Sequence, residues 1–108
     1  MYEQREIVLV PFPYSDLTAA KQRPALILSN PKLNKSQDRI CCLITSQSTI
    51  EGLEIKETHL EKGSLPFKSW AKPYRLFTVH EKIIKKSIGK ITHLFHKETL
   101  ASLNEYLA

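Results

Sequence analysis

Cysteine is nearly absent from this sequence. The 108-residue chain holds two, and they are neighbours, Cys41 and Cys42. Successive side chains on a strand point to opposite faces, so the pair is badly placed to bridge itself. There is no Cys-x-x-Cys and no Cys and His run at zinc spacing, so neither a metal nor another cofactor is expected. Two reduced thiols inside a strand suit a reducing compartment. Long apolar runs are missing too. The longest holds about five residues, against the roughly 20 a membrane-spanning helix needs. Met1 to Glu6 carries no positive region followed by an apolar stretch, so no secretory signal is expected. These absences predict a cytoplasmic protein with no membrane segment. Internal repeats and low-complexity segments are also lacking.

What is present describes a folded domain with a basic surplus. A composition of 42% hydrophobic and 25% charged residues excludes a disordered chain. The length leaves room for one domain, spanning 1–108, and one compact core. Sixteen Lys and Arg against eleven Asp and Glu leave a net charge of +5. That surplus favours an acidic partner, either a nucleic acid or an acidic protein segment. A protein that is merely basic has the same count.

Ile7 to Val10 is a β-branched run that ends at Pro11, Phe12 and Pro13, which predicts a first strand and then a loop. The loop is expected to run from Tyr14 to Gln22. Pro24 to Ser29 is apolar on both faces, predicting a central buried strand that Pro24 opens. Asn30 to Ser36 reads as a turn or brief helical connection. Ile40 to Ile44 is a second buried strand, closed by a polar cluster from Thr45 to Thr49. Leu53 to Glu57 alternates like an edge strand, and Gly63 and Pro66 punctuate a loop. Strand-like runs follow near Ser69 to Lys72 and Leu76 to Val79, then a helical turn at Ile83 and Ile84. Ser87 to Leu94 reads as a last strand weakened or bulged at Gly89. Leu100, Leu103 and Leu107 fall at helical spacing and predict an amphipathic terminal helix whose leucine stripe packs on a β core. The sum is a mainly β protein with short helices, built as a small, strongly bent barrel.

Arg23 stands between the polar loop and the buried strand. There its backbone is held while its guanidinium offers a planar, permanently charged fork to a phosphate. An exposed arginine at a strand start looks the same. Thr45 and Ser46 end the next strand, where hydroxyls either donate to a phosphate oxygen or simply cap a turn. The four histidines, His59, His80, His93 and His96, sit in no motif, and His93 and His96 are expected to face solvent. Lys72, Arg75, Lys82, Lys85, Lys86 and Lys90 form either a phosphate-backbone contact or a solvated face. Trp70, Tyr74 and Phe77 are candidates for stacking on bases, with Trp70 and Phe77 equally suited to a core.

Taken together, the order of segments resembles the MazF/PemK family of toxin ribonucleases from bacterial toxin–antitoxin systems. Glu6-Ile7-Val8-Leu9-Val10-Pro11-Phe12-Pro13 is similar to the family's first strand. Gln22-Arg23-Pro24-Ala25-Leu26-Ile27-Leu28-Ser29 looks like its Arg-Pro strand, and Ile44-Thr45-Ser46-Gln47 like its Thr-Ser motif. Leu76-Phe77-Thr78-Val79 and Ile88-Gly89-Lys90-Ile91 match segments near its C-terminus. The resemblance implies a homodimeric SH3-like barrel that cuts single-stranded RNA without a metal. The RNA 2′-hydroxyl would attack the adjacent phosphate, leaving a cyclic phosphate and a free 5′-hydroxyl. By the same resemblance Arg23 would stabilise the transition-state phosphorane and protonate the leaving oxygen, and Thr45, with Ser46, would hold a phosphate oxygen. Lys21, Gln22, Gln47, Lys72, Tyr74 and Arg75 would contact RNA. An antitoxin with an extended acidic segment would occupy the same groove.

The chain departs from the family at two places. Arg5 stands where several relatives have Gly. Tyr74 stands where some have an acidic residue with a catalytic part, which leaves the general base unassigned. Two other classes share the fold: a toxin that poisons DNA gyrase by binding, and an inactive barrel that binds RNA or a partner.

Overall fold

Strand β1 (Glu6–Phe12) is braced on both sides: β2 (Lys21–Ile27) lies along one edge and β7 (Lys86–Ile91), far away in sequence, along the other. The computed structural model describes residues 1–12 and 21–108, so the expected loop at Tyr14 to Ala20 lies outside the described residues. The remaining elements are helix α1 (Pro31–Asn34), β3 (Asp38–Thr45), β4 (Leu53–Ile55), β5 (Leu60–Gly63), β6 (Ser69–His80) and α2 (His93–Leu107). Among the described residues seven strands form one antiparallel sheet in the order β4-β6-β3-β2-β1-β7-β5. β4 and β5 are consecutive in the chain yet sit at opposite edges of the sheet. Only the turn of 3₁₀ helix Glu57–His59 and the residues beside it separate them. The sheet therefore curls until its edges are tied together, giving the nearly closed SH3-like barrel that the sequence predicts.

The strands bury side chains on both faces. Ile7, Leu26, Cys42, Ile44, Ile55, Ala71, Ile91 and Phe95 fill the barrel interior. Val8, Val10, Ala25, Ile27, Cys41, Val79 and Ile84 form a second core on the outer face. Strand alternation puts the adjacent cysteines into different cores, as expected, and both are unbridged. Burial pushes both thiols up, Cys41 to about 12.

Among the described residues three ladders depart from regularity: β3 with β6, β1 with β7, and β5 with β7. On β6, Leu76 pairs with Cys42 and Lys72 with Leu43, so Pro73, Tyr74 and Arg75 bulge out unmatched. A bulge is where a strand tolerates proline, and it is why the sequence reads as two runs with a gap. The β1–β7 register shifts between Ile7 and Val8, opposite Gly89 and Ser87, which is the irregularity expected at Gly89.

Several expectations are corrected. Lys21 and Gln22 belong to β2 rather than to a loop, and Pro24 lies inside that strand, across from Leu9. Pairing of β2 with β3 covers only Ala25 to Ile27, so no β3 partner is lost at the proline. The charged segment Leu60–Gly63 is a strand, and Leu94 belongs to α2 rather than to the last strand. The helix buries Phe95, His96 and Thr99, whereas Leu100 and Leu107 stay 39% and 70% exposed. Phe95 enters the interior core and stacks on His59 with centroids 4.4 Å apart. That anchor turns the helix so that a neighbouring face docks in place of the leucine stripe. His96, expected in solvent, is buried, with Nε2 3.4 Å from the Leu28 carbonyl oxygen. Burial is the main cause lowering its pKa; the Leu28 contact opposes this and the charges of Arg5 and His93 add to it.

Buried cations tie the barrel end near α1 together. Arg39 is fully buried and donates to the carbonyl oxygens of Tyr2, Ser36 and Asp38 and to Glu81, the last at 2.9 Å. Arg5 has a positive φ of 79°, the left-handed region that favours glycine. Its guanidinium donates to the Ile91 carbonyl oxygen at 2.7 Å and to Glu61 at 3.0 Å, contacts a glycine cannot make. The bond from Arg5 is the main reason the Glu61 carboxyl is held below its usual range.

Candidate active site

The opposite end of the barrel carries Lys21, Gln22, Arg23, Thr45 and Ser46 from among the residues the sequence singles out. There β2 begins at Lys21 and β3 ends at Thr45. Val10 of β1 pairs with Arg23, and Thr45 pairs with Trp70 of β6. The β2–β3 ladder stops at Ala25 and Leu43. Continuing its register by two residues sets Arg23 across from Thr45, on the same face of the sheet. One step back, Leu43 pairs with Lys72, so Lys72 shares that face with Arg23 and Thr45.

An open hollow of about 340 Å³ lies at this mouth. Lys21, Gln22, Arg23 and Ser46 line it, and Leu9, Pro24, Ile44 and Ile88 give it an apolar floor. Arg23 is half-buried and Ser46 exposed. Among the described lining residues two are basic and none is acidic. A larger depression of about 700 Å³ between β4 and the β5–β6 loop mixes Glu54, Glu57 and Glu61 with Lys56, Lys62 and Lys68. Of these two, the smaller hollow has the uncompensated positive lining among the described residues.

Thr45 does not line the hollow, and its hydroxyl oxygen accepts the Gln47 N–H at 3.1 Å. The turn-capping role is therefore realised. A hydroxyl that accepts still carries its own proton, so the bond leaves its donor capacity in place. Gln47 is exposed beside it. Tyr74 and Arg75 are elsewhere: both lie in the β6 bulge, and the Tyr74 ring packs edge-on against Tyr106 of α2 at 5.5 Å. Neither lines the hollow. Of the histidines, none lines it. Among the described residues no group of three or more His, Cys, Asp or Glu is placed to hold a metal ion. No helix among them is long and apolar enough to cross a membrane.

One residue of this mouth is missed by sequence reasoning. Phe67, 72% exposed, lines the same hollow as Arg23 and Ser46. The available signal is a bulky apolar residue next to Pro66 in a polar loop, where chain punctuation leaves no strand or helix to bury it.

The chain is thus a mainly β barrel with a basic, hydroxyl-bearing mouth and a docked terminal helix. The family model for PemK-like, MazF-like toxins of type II toxin–antitoxin systems matches residues 3–107, and the chain belongs to that family. Solved structures with the same fold include an endoribonuclease in complex with its cognate antitoxin from a mycobacterial species, at 14% identity and a TM-score of 0.73 over 99% of this chain and 95% of that one. MazF from Deinococcus radiodurans matches at 16% identity and 0.72, over 98% and 96%. The Mycobacterium tuberculosis toxin MazF-mt6 matches at 16% and 0.67, over 94% and 90%. At such identities the likeness establishes the fold. No curated protein matches the chain by sequence.

Proposed function

We propose that residues 1–108 act as one toxin domain, a metal-independent endoribonuclease that cuts single-stranded RNA through attack by its own 2′-hydroxyl. The observation that carries this reading is the mouth: Arg23 and Ser46 line one hollow with no acidic residue among the described lining, and the β2–β3 register, continued two residues past its last pair, runs from Arg23 to Thr45. A phosphate bound there gains a fixed positive guanidinium, which stabilises the extra charge of the phosphorane more than that of the ground state. Hydroxyls of Thr45 and Ser46 on the neighbouring strand orient a non-bridging oxygen. Lys21, Gln22, Gln47 and Lys72 extend the contact along the backbone, while Tyr74 and Arg75 serve a longer strand that reaches the α2 side. With no carboxylate or histidine among the described lining residues, the mouth contributes positioning and charge stabilisation.

A net charge of +5 suits RNA and also an acidic antitoxin segment laid over the same groove. A fold relative was solved with its cognate antitoxin, and the reading assigns this chain such a partner and a homodimeric state in the cytoplasm. Digestion of RNA in the presence of a chelator tests it. Wild-type protein yields 2′,3′-cyclic phosphate and 5′-hydroxyl ends, and Arg23→Ala does not. Cutting that survives in Arg23→Ala refutes the site, and no cutting by either protein refutes the nuclease reading in favour of a toxin that acts by binding.

A further inference from the structure

From the mouth of the barrel we infer that the hollow beside Arg23 is a subsite for one unpaired RNA base, with Phe67 as its stacking face. This rests on the nuclease reading and extends it from the phosphate to the base next to it.

A single exposed aromatic ring needs no explanation on a protein surface. Phe67 differs in how it is held. Leu65, two residues earlier, packs against the interior core, and Pro66 fixes the chain direction between them. Two residues later the Ser69 hydroxyl donates to the Phe67 carbonyl oxygen at 2.8 Å. The loop is anchored on both sides, yet the ring is left 72% exposed. A base that stacks there meets a ring whose backbone is already ordered, so little further entropy is lost on binding.

The hollow suits one base in size and chemistry. Its 340 Å³ lies at the small end of ligand sites, which begin near ~300 Å³. The floor of Leu9, Pro24, Ile44 and Ile88 accepts a flat, weakly polar face, and Lys21 and Arg23 are among the lining residues, which gives the attached phosphate a cationic side on which to leave. Unpaired bases are recognised by just this combination of an aromatic face and a flanking cation. A duplex cannot use it, because its bases are already stacked. Phe67 also borders the larger depression, but the mixed charges there make it a poorer place for RNA.

A short single-stranded 2′-O-methyl RNA, which lacks the attacking hydroxyl, is bound without being cut. It carries the fluorescent base 2-aminopurine at one position at a time. With the full wild-type chain, fluorescence is quenched most strongly at one position. Phe67→Ala abolishes that quench and weakens binding about tenfold or more. Phe67→Tyr retains both, and Phe67→Leu, which keeps apolar bulk without a ring, behaves like the alanine variant. Unchanged quenching and affinity in Phe67→Ala would overturn the subsite, as would an equal loss at all positions. Normal RNA binding by Phe67→Ala with failed neutralisation by a co-expressed antitoxin would assign the hollow to a protein segment and also overturn it. If wild-type protein binds the oligonucleotide but leaves ordinary RNA uncut, the nuclease reading falls while the Phe67 comparison still decides the subsite. Absence of any binding removes both.

Discussion

The two ends of this barrel place arginine in different surroundings. At the end near α1, Arg39 and Arg5 direct their guanidiniums into the protein's own carbonyls and carboxylates. At the other end Arg23 lines an open hollow with no acidic residue among its described neighbours there. The ladders differ accordingly. Near α1 the chain is knitted beyond its strands, with Arg5 N–H donating to Ile27 and Leu28 N–H to Ile40. At the mouth the β2–β3 pairing has already stopped, and Lys21, Gln22 and Ser46 are exposed. One end is tied by buried cations, and the other is where the proposed RNA would bind.

Substitution separates these roles. Arg39→Ala removes a fully buried cation, strips three carbonyls of a donor and leaves Glu81 without its guanidinium partner. We expect a loss of about 3–5 kcal/mol in chemical denaturation, while whatever fraction stays folded cuts RNA normally. Arg23→Ala is the mirror case. The rate of RNA cleavage falls roughly a hundredfold, equivalent to about 3 kcal/mol of barrier, and the denaturation midpoint barely moves. If Arg23→Ala unfolds the protein instead, the contrast between the two ends is broken.

Smaller effects sharpen it. The Thr92 hydroxyl caps α2 by accepting the Phe95 N–H at 3.1 Å, so Thr92→Ala costs about 1 kcal/mol of stability. His96 is held neutral by burial, with its folded pKa below the unfolded value near 6.5. Its contribution is complete above that pH and is lost as pH falls toward the folded pKa, since the unfolded chain binds the proton first. Denaturation measured between neutral and mildly acidic pH shows this decline, and His96→Gln flattens it. Arg5→Gly has the smallest net effect in the same assay. It relieves a positive φ worth about 1 kcal/mol while losing the bonds to Ile91 and Glu61.

What was legible in the sequence follows from which forces act locally. The runs Pro24 to Ser29 and Ile40 to Ile44 are apolar on both faces because β2 and β3 lie between two cores. Arg23, Thr45 and Ser46 were visible because a motif fixes them at the ends of those strands. β5 was missed because an exposed edge, Leu60-Glu61-Lys62-Gly63, carries no alternation to read. The docking face of α2 was misjudged for a different reason. Helical periodicity marks several faces that are partly apolar, and the barrel end selects one through Phe95. Polar Thr99 is buried on that face because its hydroxyl donates to the Phe95 carbonyl oxygen at 2.8 Å. The hollow itself is out of the sequence's reach, since Phe67 and Arg23 come to line one space only in the folded barrel.

The pairing of β1 with β7 also sets a schedule. Glu6 waits for Lys90, and Leu9 for Lys86. While the chain is being synthesised, the strand that braces β2 therefore keeps one bare edge until Lys86 to Lys90 have been made. Contacts so distant in sequence form slowly. The mouth that carries Arg23 is thus completed late, after the ribosome has delivered the last strand, and a nascent fragment stopping short of Lys86 lacks a finished barrel on which to display it.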